Sequence, residues 1–261
     1  MKKICSILML SLILVLSITV VVSAHFQMIL PSDDIVMQGD KREINLDLIF
    51  THPMAASHTM DMKKPQKFGV LHKGNKKNLL NTLKSTKIMN GKAFETSYQL
   101  RGFGDFVFYL EPAPYWESAD EVYITQYTKV VVNSMGVTSD WDKEVGMKAE
   151  IVPLTRPYGL WTNNIFKGVV KKNGKPVPYA EIEVEYFNEG KFPKLKGDEV
   201  TKLPNAAYTS QTIKADKNGV FTYAMPKSGW WGFAALMKGK PIDGKDHELG
   251  AVMWVKTKNM K

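Results

Sequence analysis

One cysteine stands in the 261 residues, and it is Cys5, close to the start. If the opening two dozen residues are a removable leader, the remainder has no thiol. Disulfides are then excluded, so burial and backbone pairing hold the fold even in an oxidising compartment. Thiolate metal sites and cysteine nucleophiles are excluded with them. Any metal must take nitrogen, oxygen or thioether donors. Arginine is almost as scarce, at Arg42, Arg101 and Arg156, so the net charge of +9 rests on lysine. The lysines are scattered through turns, among them Lys73, Lys76 and Lys77, and Lys171, Lys172 and Lys175. With no arginine cluster and no aromatic–basic stripe, nucleic acid is not the expected partner. A solvated surface, or one facing anionic lipid, accounts for the charge. The chain also has no G-x-S-x-G elbow, no H-E-x-x-H and no glycine-rich phosphate loop, so no enzyme is read here.

What the sequence does have begins with a leader. Lys2 and Lys3 form a basic start, Ile7 to Val22 are almost wholly apolar, and Val22-Ser23-Ala24 ends the run with compact residues. This is the pattern of a secretory signal cleaved after Ala24. The apolar run is near the lower limit for spanning a bilayer and meets a polar junction rather than a basic stop. Cys5 precedes the apolar core, which excludes a lipoprotein-type leader. Export to the periplasm is expected, with His25 as the new first residue.

From His25 onward the periodicity is that of strands. Ile44 to Phe50 alternates apolar and polar residues, Asp105 to Leu110 is a compact apolar run, and Tyr123 to Val132 mixes aromatic and β-branched residues. Turn signals separate them, including Lys73-Gly74-Asn75 and Asn90-Gly91. Pro153 to Gly159, with two prolines and a glycine, interrupts the pattern. Strands resume at Phe166–Val170, at Ile182, Val184 and Tyr186 alternating with Glu181, Glu183 and Glu185, at Val220–Tyr223, at Trp231–Leu236 and at Ala251–Val255. The expectation is an all-β protein of two β-sandwich domains, over residues 25–155 and 156–261, after a leader at 1–24. The glutamates of 181–185 read as a wet face. In the second half, G-K-P-V-P-Y-A-E-I-E-V from Gly174 and A-D-K-N-G-V-F-T-Y from Ala215, followed by G-W-W-G-F-A-A-L, resemble a transthyretin-like, carboxypeptidase-regulatory sandwich. That resemblance implies a structural or spacer role.

The five histidines are His25, His52, His58, His72 and His247. A cleaved His25 offers both an α-amine and an imidazole, which together close a chelate ring on one ion. The amine's ordinary pKa of ~7.7–8.0 lets a cation displace its proton near neutrality. Such nitrogen donors suit nickel, cobalt, copper and zinc, and not calcium or magnesium. His52 and His58 lie in F-T-H-P-M-A-A-S-H-T-M-D-M, after a strand that could run antiparallel to the one starting at His25. Met54, Met60, Met62 and Asp61 in the same segment are further potential donors. His52, His58 and His25 are the metal ligands this reading selects. His72 reads as a surface-turn residue and His247 as a solvated loop residue. Glu111, in the loop E-P-A-P-Y-W, is a possible oxygen acceptor beside the site.

The runs A-H-F-Q-M-I-L-P-S-D from Ala24, F-T-H-P-M from Phe50, F-Y-L-E-P-A-P-Y-W from Phe108 and E-I-V-P-L-T-R-P-Y-G-L from Glu150 carry a wider likeness. Together they resemble a bacterial periplasmic domain-of-unknown-function family described as the periplasmic component of a cobalt/nickel-type transport system. The resemblance implies a soluble protein that holds Ni²⁺ or Co²⁺ and works with a membrane metal transporter. His25 and His52 match the family's histidine positions, and His58 is this chain's addition. Two alternatives stand beside it. One is a copper protein, either a carrier or a histidine-brace oxidase, since Cu²⁺ outcompetes Ni²⁺ at most nitrogen sites. The other is a structural two-sandwich protein with incidental histidines.

Overall fold

The computed structural model describes residues 25–193, 195 and 200–260. The leader expected over residues 1–24 lies outside the described residues. Nearly everything described is strand or turn. The first half holds β1 (Phe26–Pro31), β2 (Ile35–Val36), β3 (Glu43–Thr51), β4 (Lys67–His72), β5 (Asn75–Asn78), β6 (Lys84–Ile88), β7 (Gly91–Gln99), β8 (Gly104–Glu111), β9 (Tyr115–Glu117) and β10 (Val122–Ser134). The second holds β11 (Ala149–Pro153), β12 (Leu160–Trp161), β13 (Ile165–Lys172), β14 (Lys175–Pro176), β15 (Glu181–Tyr186), β16 (Gln211–Lys214), β17 (Val220–Ala224), β18 (Gly229–Lys238) and β19 (Asp246–Lys258). The alternating and apolar runs read from the sequence fall inside these strands, so the all-β expectation holds.

The strands form three sheets. One has the order β1-β3-β7-β6, and another joins β11, β13, β14 and β17. Between them runs a long sheet, β16-β15-β18-β19-β10-β8-β4-β5, that passes through both halves of the chain. Its seam is a parallel pairing of β10 with β19, from Val122↔Asp246 to Val130↔Trp254. Period-two alternation sends successive side chains of this sheet to opposite faces. Val130, Val132, Val252, Trp254 and Ala234 belong to the core shared with β1 and β3. Tyr127, Val131, Ala251, Met253, Val255 and Phe233 belong to the other, shared with Ile151, Phe166 and Phe221. The two sandwiches thus share their central sheet, one core on each face. β11 precedes the expected division at residues 155 and 156, yet it pairs with β13 beyond it. Each side chain buried from full exposure, such as Phe108 or Phe233, contributes about 1.5–3 kcal/mol. The outer edge strand β5, Asn-Lys-Lys-Asn, is exposed throughout, and its lysines discourage edge-to-edge pairing.

One expectation is corrected. Glu183 and Glu185 do not line a wet face: they are 9% and 1% exposed. Ile182 and Val184 do point into a core as read. The opposite face is also covered, because the chain after His52 and the segment after β15 meet over it. The Met54 N–H donates to Glu185 (3.2 Å), and the Asn188 N–H donates to the Pro53 carbonyl (3.1 Å).

Candidate metal centre

Strand register brings the three selected histidines together. β1 and β3 are antiparallel with Phe26 opposite Thr51, so one step further along this register His25 stands opposite His52. After His52 the chain turns tightly. The Ala56 N–H donates to the His52 carbonyl (2.8 Å), and Ala56 takes a positive φ of 50°. The chain then returns beside β3, with a bridge between Thr51 and Thr59 and the Met60 N–H donating to Phe50 (2.8 Å). Continuing that register sets His58 opposite His52 on the other side. The Thr51 hydroxyl donates to the His58 carbonyl (2.8 Å) and ties the return down. Gly91 permits the close approach of β7 here, since a Cβ on it would lie 2.2 Å from the Thr59 carbonyl oxygen.

The result is a row of three imidazoles. Ring centres of His25 and His52 are 4.6 Å apart, and those of His52 and His58 are 4.8 Å apart. His25 Nε2 lies 3.1 Å from Glu117 Oε2. A carboxylate only accepts, so the Nε2–H donates and Nδ1 keeps its lone pair. His52 Nδ1 shares a hydrogen bond with Ser57 Oγ (2.7 Å), and the same hydroxyl lies 3.5 Å from His58 Nδ1. His52 is 4% exposed, and its Nε2 is buried with no hydrogen-bond partner. Leaving a buried polar atom unpaired typically costs about 1–3 kcal/mol. Burial pushes the His52 imidazole down to about 4. The neighbouring His25 and His58 add to that, and Glu117 opposes it. Burial also lowers His25, against the pull of Glu117. Among the described residues, no group of three or more His, Cys, Asp or Glu side chains already converges in a metal-holding arrangement. The rings stand side by side.

The supports come from distant strands. The Gln126 side chain on β10 accepts from the Gln27 N–H (2.8 Å) and donates to the His25 carbonyl, so it clamps the start of β1. Phe50 and Tyr115 wall the His25 ring at 5.6 and 6.4 Å between centres. The turn after His52 is held by the second half of the chain. Besides Glu185 and the Asn188 N–H, the Lys191 ammonium donates to the Ala55 carbonyl (3.2 Å).

The remaining candidates lie elsewhere. Met54, Met60 and Met62 are buried at 4%, 2% and 5% exposure, and Met60 and Met62 are core residues. Asp61 accepts from the Lys92 N–H (2.6 Å). Glu111 pairs with Lys67 (2.9 Å), and it is Glu117, six residues on, that meets His25. His72 is stacked on Phe106 at 3.9 Å and bonded to the Asp105 carbonyl, so it is half-buried packing. His247 is on β19, bonded to Thr125 Oγ1 (3.0 Å) and the Lys240 carbonyl (3.0 Å), with no nitrogen to spare.

An all-β, three-layer molecule with a row of histidines at one end of its strands is the class that fold and site define. The chain belongs to the family described as "Domain of unknown function (DUF4198)", whose model matches residues 22–239. No curated protein matches it. Among solved structures it is similar to the D0-D1 domain of intimin at 15% identity. That match covers 90% of this chain and 98% of the other, with a TM-score of 0.23. It is also similar to trypsin-activated alpha-2-macroglobulin from Escherichia coli at 10% identity, covering 90% of this chain and 15% of the other, with a TM-score of 0.24. A DUF3823 family protein from Bacteroides uniformis is 12% identical over 78% of this chain and 95% of its own, with a TM-score of 0.21.

Proposed function

We propose that this protein is exported to the periplasm and binds a divalent transition metal, Ni²⁺ or Co²⁺, for delivery to a membrane transporter. The observation that supports this most is the unpartnered, buried Nε2 of His52, flanked on both sides by an imidazole. When His52 Nδ1–H donates to Ser57 Oγ, Nε2 carries the lone pair, and a buried lone pair beside two more imidazoles is the donor set that nickel, cobalt and copper favour. Glu117 strengthens the case through His25. By taking the Nε2–H it leaves Nδ1 free, and Nδ1 is the ring nitrogen that closes a chelate with the α-amine through Cα, Cβ and Cγ. That amine exists only if the leader is removed after Ala24. His52 and His58 then complete the ligand set by turning their rings toward the same ion. Cu²⁺ would be held by the same donors more tightly, and metal availability in the compartment decides between them.

Calorimetric titration of the exported protein with Ni²⁺ tests the reading. Binding is expected at one site, and His52→Ala should weaken it by about 100-fold, the loss of one buried nitrogen ligand. A variant with one residue inserted before His25 should weaken it comparably, because it converts the amine to an amide. Undiminished affinity in His52→Ala would overturn the site.

A further inference from the structure

A cavity of about 170 Å³ borders the histidine row, walled by Phe50, Tyr115 and Trp116 and by the loop Pro112, Ala113 and Pro114. Strand register puts it there. Gln27, which also lines it, is two residues from His25, so both side chains leave the same face of the sheet. Gln27 stands opposite Phe50, one pair along from His25 and His52. Tyr115 joins cavity to row, with its ring centre 5.2 Å from that of Phe50 and 6.4 Å from that of His25. A molecule seated against Phe50 and Tyr115 is therefore a neighbour of the His25 imidazole. Two prolines stiffen the loop that closes around it, so the cavity is formed in advance.

Its polar groups divide into engaged and free. Gln126 accepts the Gln27 N–H, its own amide donates to the His25 carbonyl, and the Gln27 amide donates to the Ile49 carbonyl. Asp61 accepts the Lys92 N–H (2.6 Å). Among the described residues, the Tyr115 hydroxyl and the Trp116 Nε1–H have no hydrogen-bond partner, and no carboxylate pairs with Lys63, which also lines the cavity. Both aromatic residues are half-buried, and such O–H and N–H groups normally find a partner. Aromatic walls with free donors among them suit a flat molecule that carries an anionic acceptor. A cavity of about 150 Å³ holds one benzene, so there is room for a single ring. The ion's own needs point the same way. Imidazoles and an amine are neutral donors, and Glu117, paired with His25, offsets only part of a divalent charge.

We infer that the metal is carried together with a small organic chelator, a single aromatic or heteroaromatic ring bearing a carboxylate, seated in this cavity with its donor atoms on the ion. This rests on the Ni²⁺ or Co²⁺ site proposed for the histidines. Picolinate (pyridine-2-carboxylate) is the probe, because its ring nitrogen and carboxylate chelate one ion. Equilibrium dialysis of the exported protein against NiCl₂ alone, and against Ni²⁺ with equimolar picolinate, reads both components. Wild type should retain nickel from both solutions, and from the second an equal amount of picolinate with it. Ala113→Phe fills the cavity without touching a histidine. It should retain nickel from NiCl₂ as wild type does, and about tenfold less picolinate from the mixture. Trp116→Leu, which removes a wall and a donor, should lower picolinate retention in the same direction, and melting temperatures check that both variants fold. Wild type that retains nickel from NiCl₂ but no picolinate from the mixture would overturn the chelator and leave the histidine site standing. Undiminished picolinate retention in both folded variants would do the same. No nickel retained from either solution would overturn both.

Discussion

Lys129 and His52 are both nitrogen bases buried in a β-protein, and they meet that cost in different ways. Lys129 is 1% exposed and lies 2.8 Å from Glu150, which also accepts the N–H groups of Val145, Gly146 and Met147. Burial lowers its ammonium pKa while Glu150 opposes the shift, and every polar atom of the pair has a partner. Lys129→Ala should therefore lower the unfolding free energy by about 3–5 kcal/mol, because it leaves a buried carboxylate uncompensated. Lys129→Met together with Glu150→Gln should cost less, and urea unfolding of the variants measures both. A Lys129→Ala loss below about 1 kcal/mol would contradict the pairing. His52 instead stays neutral. Its imidazole in the folded state takes a proton only near pH 4, below the ordinary 6.5, so the stability it contributes is complete above 6.5 and is lost as pH falls toward 4. At neutral pH its lone pair needs no proton removed before it binds a cation. The sequence made His25, His52 and His58 legible as a group, because an antiparallel return from β3 to β1 follows from alternation and a short connection. It did not reveal Glu117. That residue reaches His25 through the pairing of β9 with β10, and no local pattern marks such a contact.

At the scale of elements, β15 is where local reading and tertiary structure diverge. Glu181, Glu183 and Glu185 alternate with apolar residues as a half-wet strand does, and that inference covered only one face correctly. The turn after His52 closes over the other face, and burial raises Glu183 to about 7 and Glu185 to about 8. An acid whose folded pKa is raised binds more protons folded than unfolded. Its stabilising contribution is thus full below about pH 4.5 and is lost as pH rises through 8. Glu185→Gln keeps a carbonyl oxygen for the Met54 N–H but cannot ionise. Melting curves should nearly coincide for wild type and variant at pH 5, with the variant higher by about 5 °C at pH 8.5. Equal melting temperatures at the higher pH would show that Glu185 is solvated there. The strands themselves were legible because period-two alternation is local. The covering of β15 was not, because it depends on a turn more than 120 residues earlier in the chain.

For the whole molecule, the shared central sheet is the organising fact. Two sandwiches were legible as two sets of strands separated by Pro153–Gly159, but the nine-residue parallel seam between β10 and β19 has no signature in either strand. Its consequence is mechanical: both cores are built on the same strands, so neither half has a core that is complete without the other. The histidine turn is likewise bonded to Glu185, Asn188 and Lys191 from the second half. Metal bound at one end should stabilise the entire molecule as a unit. Differential scanning calorimetry of the exported protein, with and without Ni²⁺ at about 100 times its dissociation constant, tests this most directly. One cooperative transition is expected, moving up by roughly 5–10 °C with metal and by only about 1–2 °C in His52→Ala, whose weakened site is then about half-filled. A wild-type transition unmoved by Ni²⁺, Co²⁺ or Cu²⁺ would contradict it.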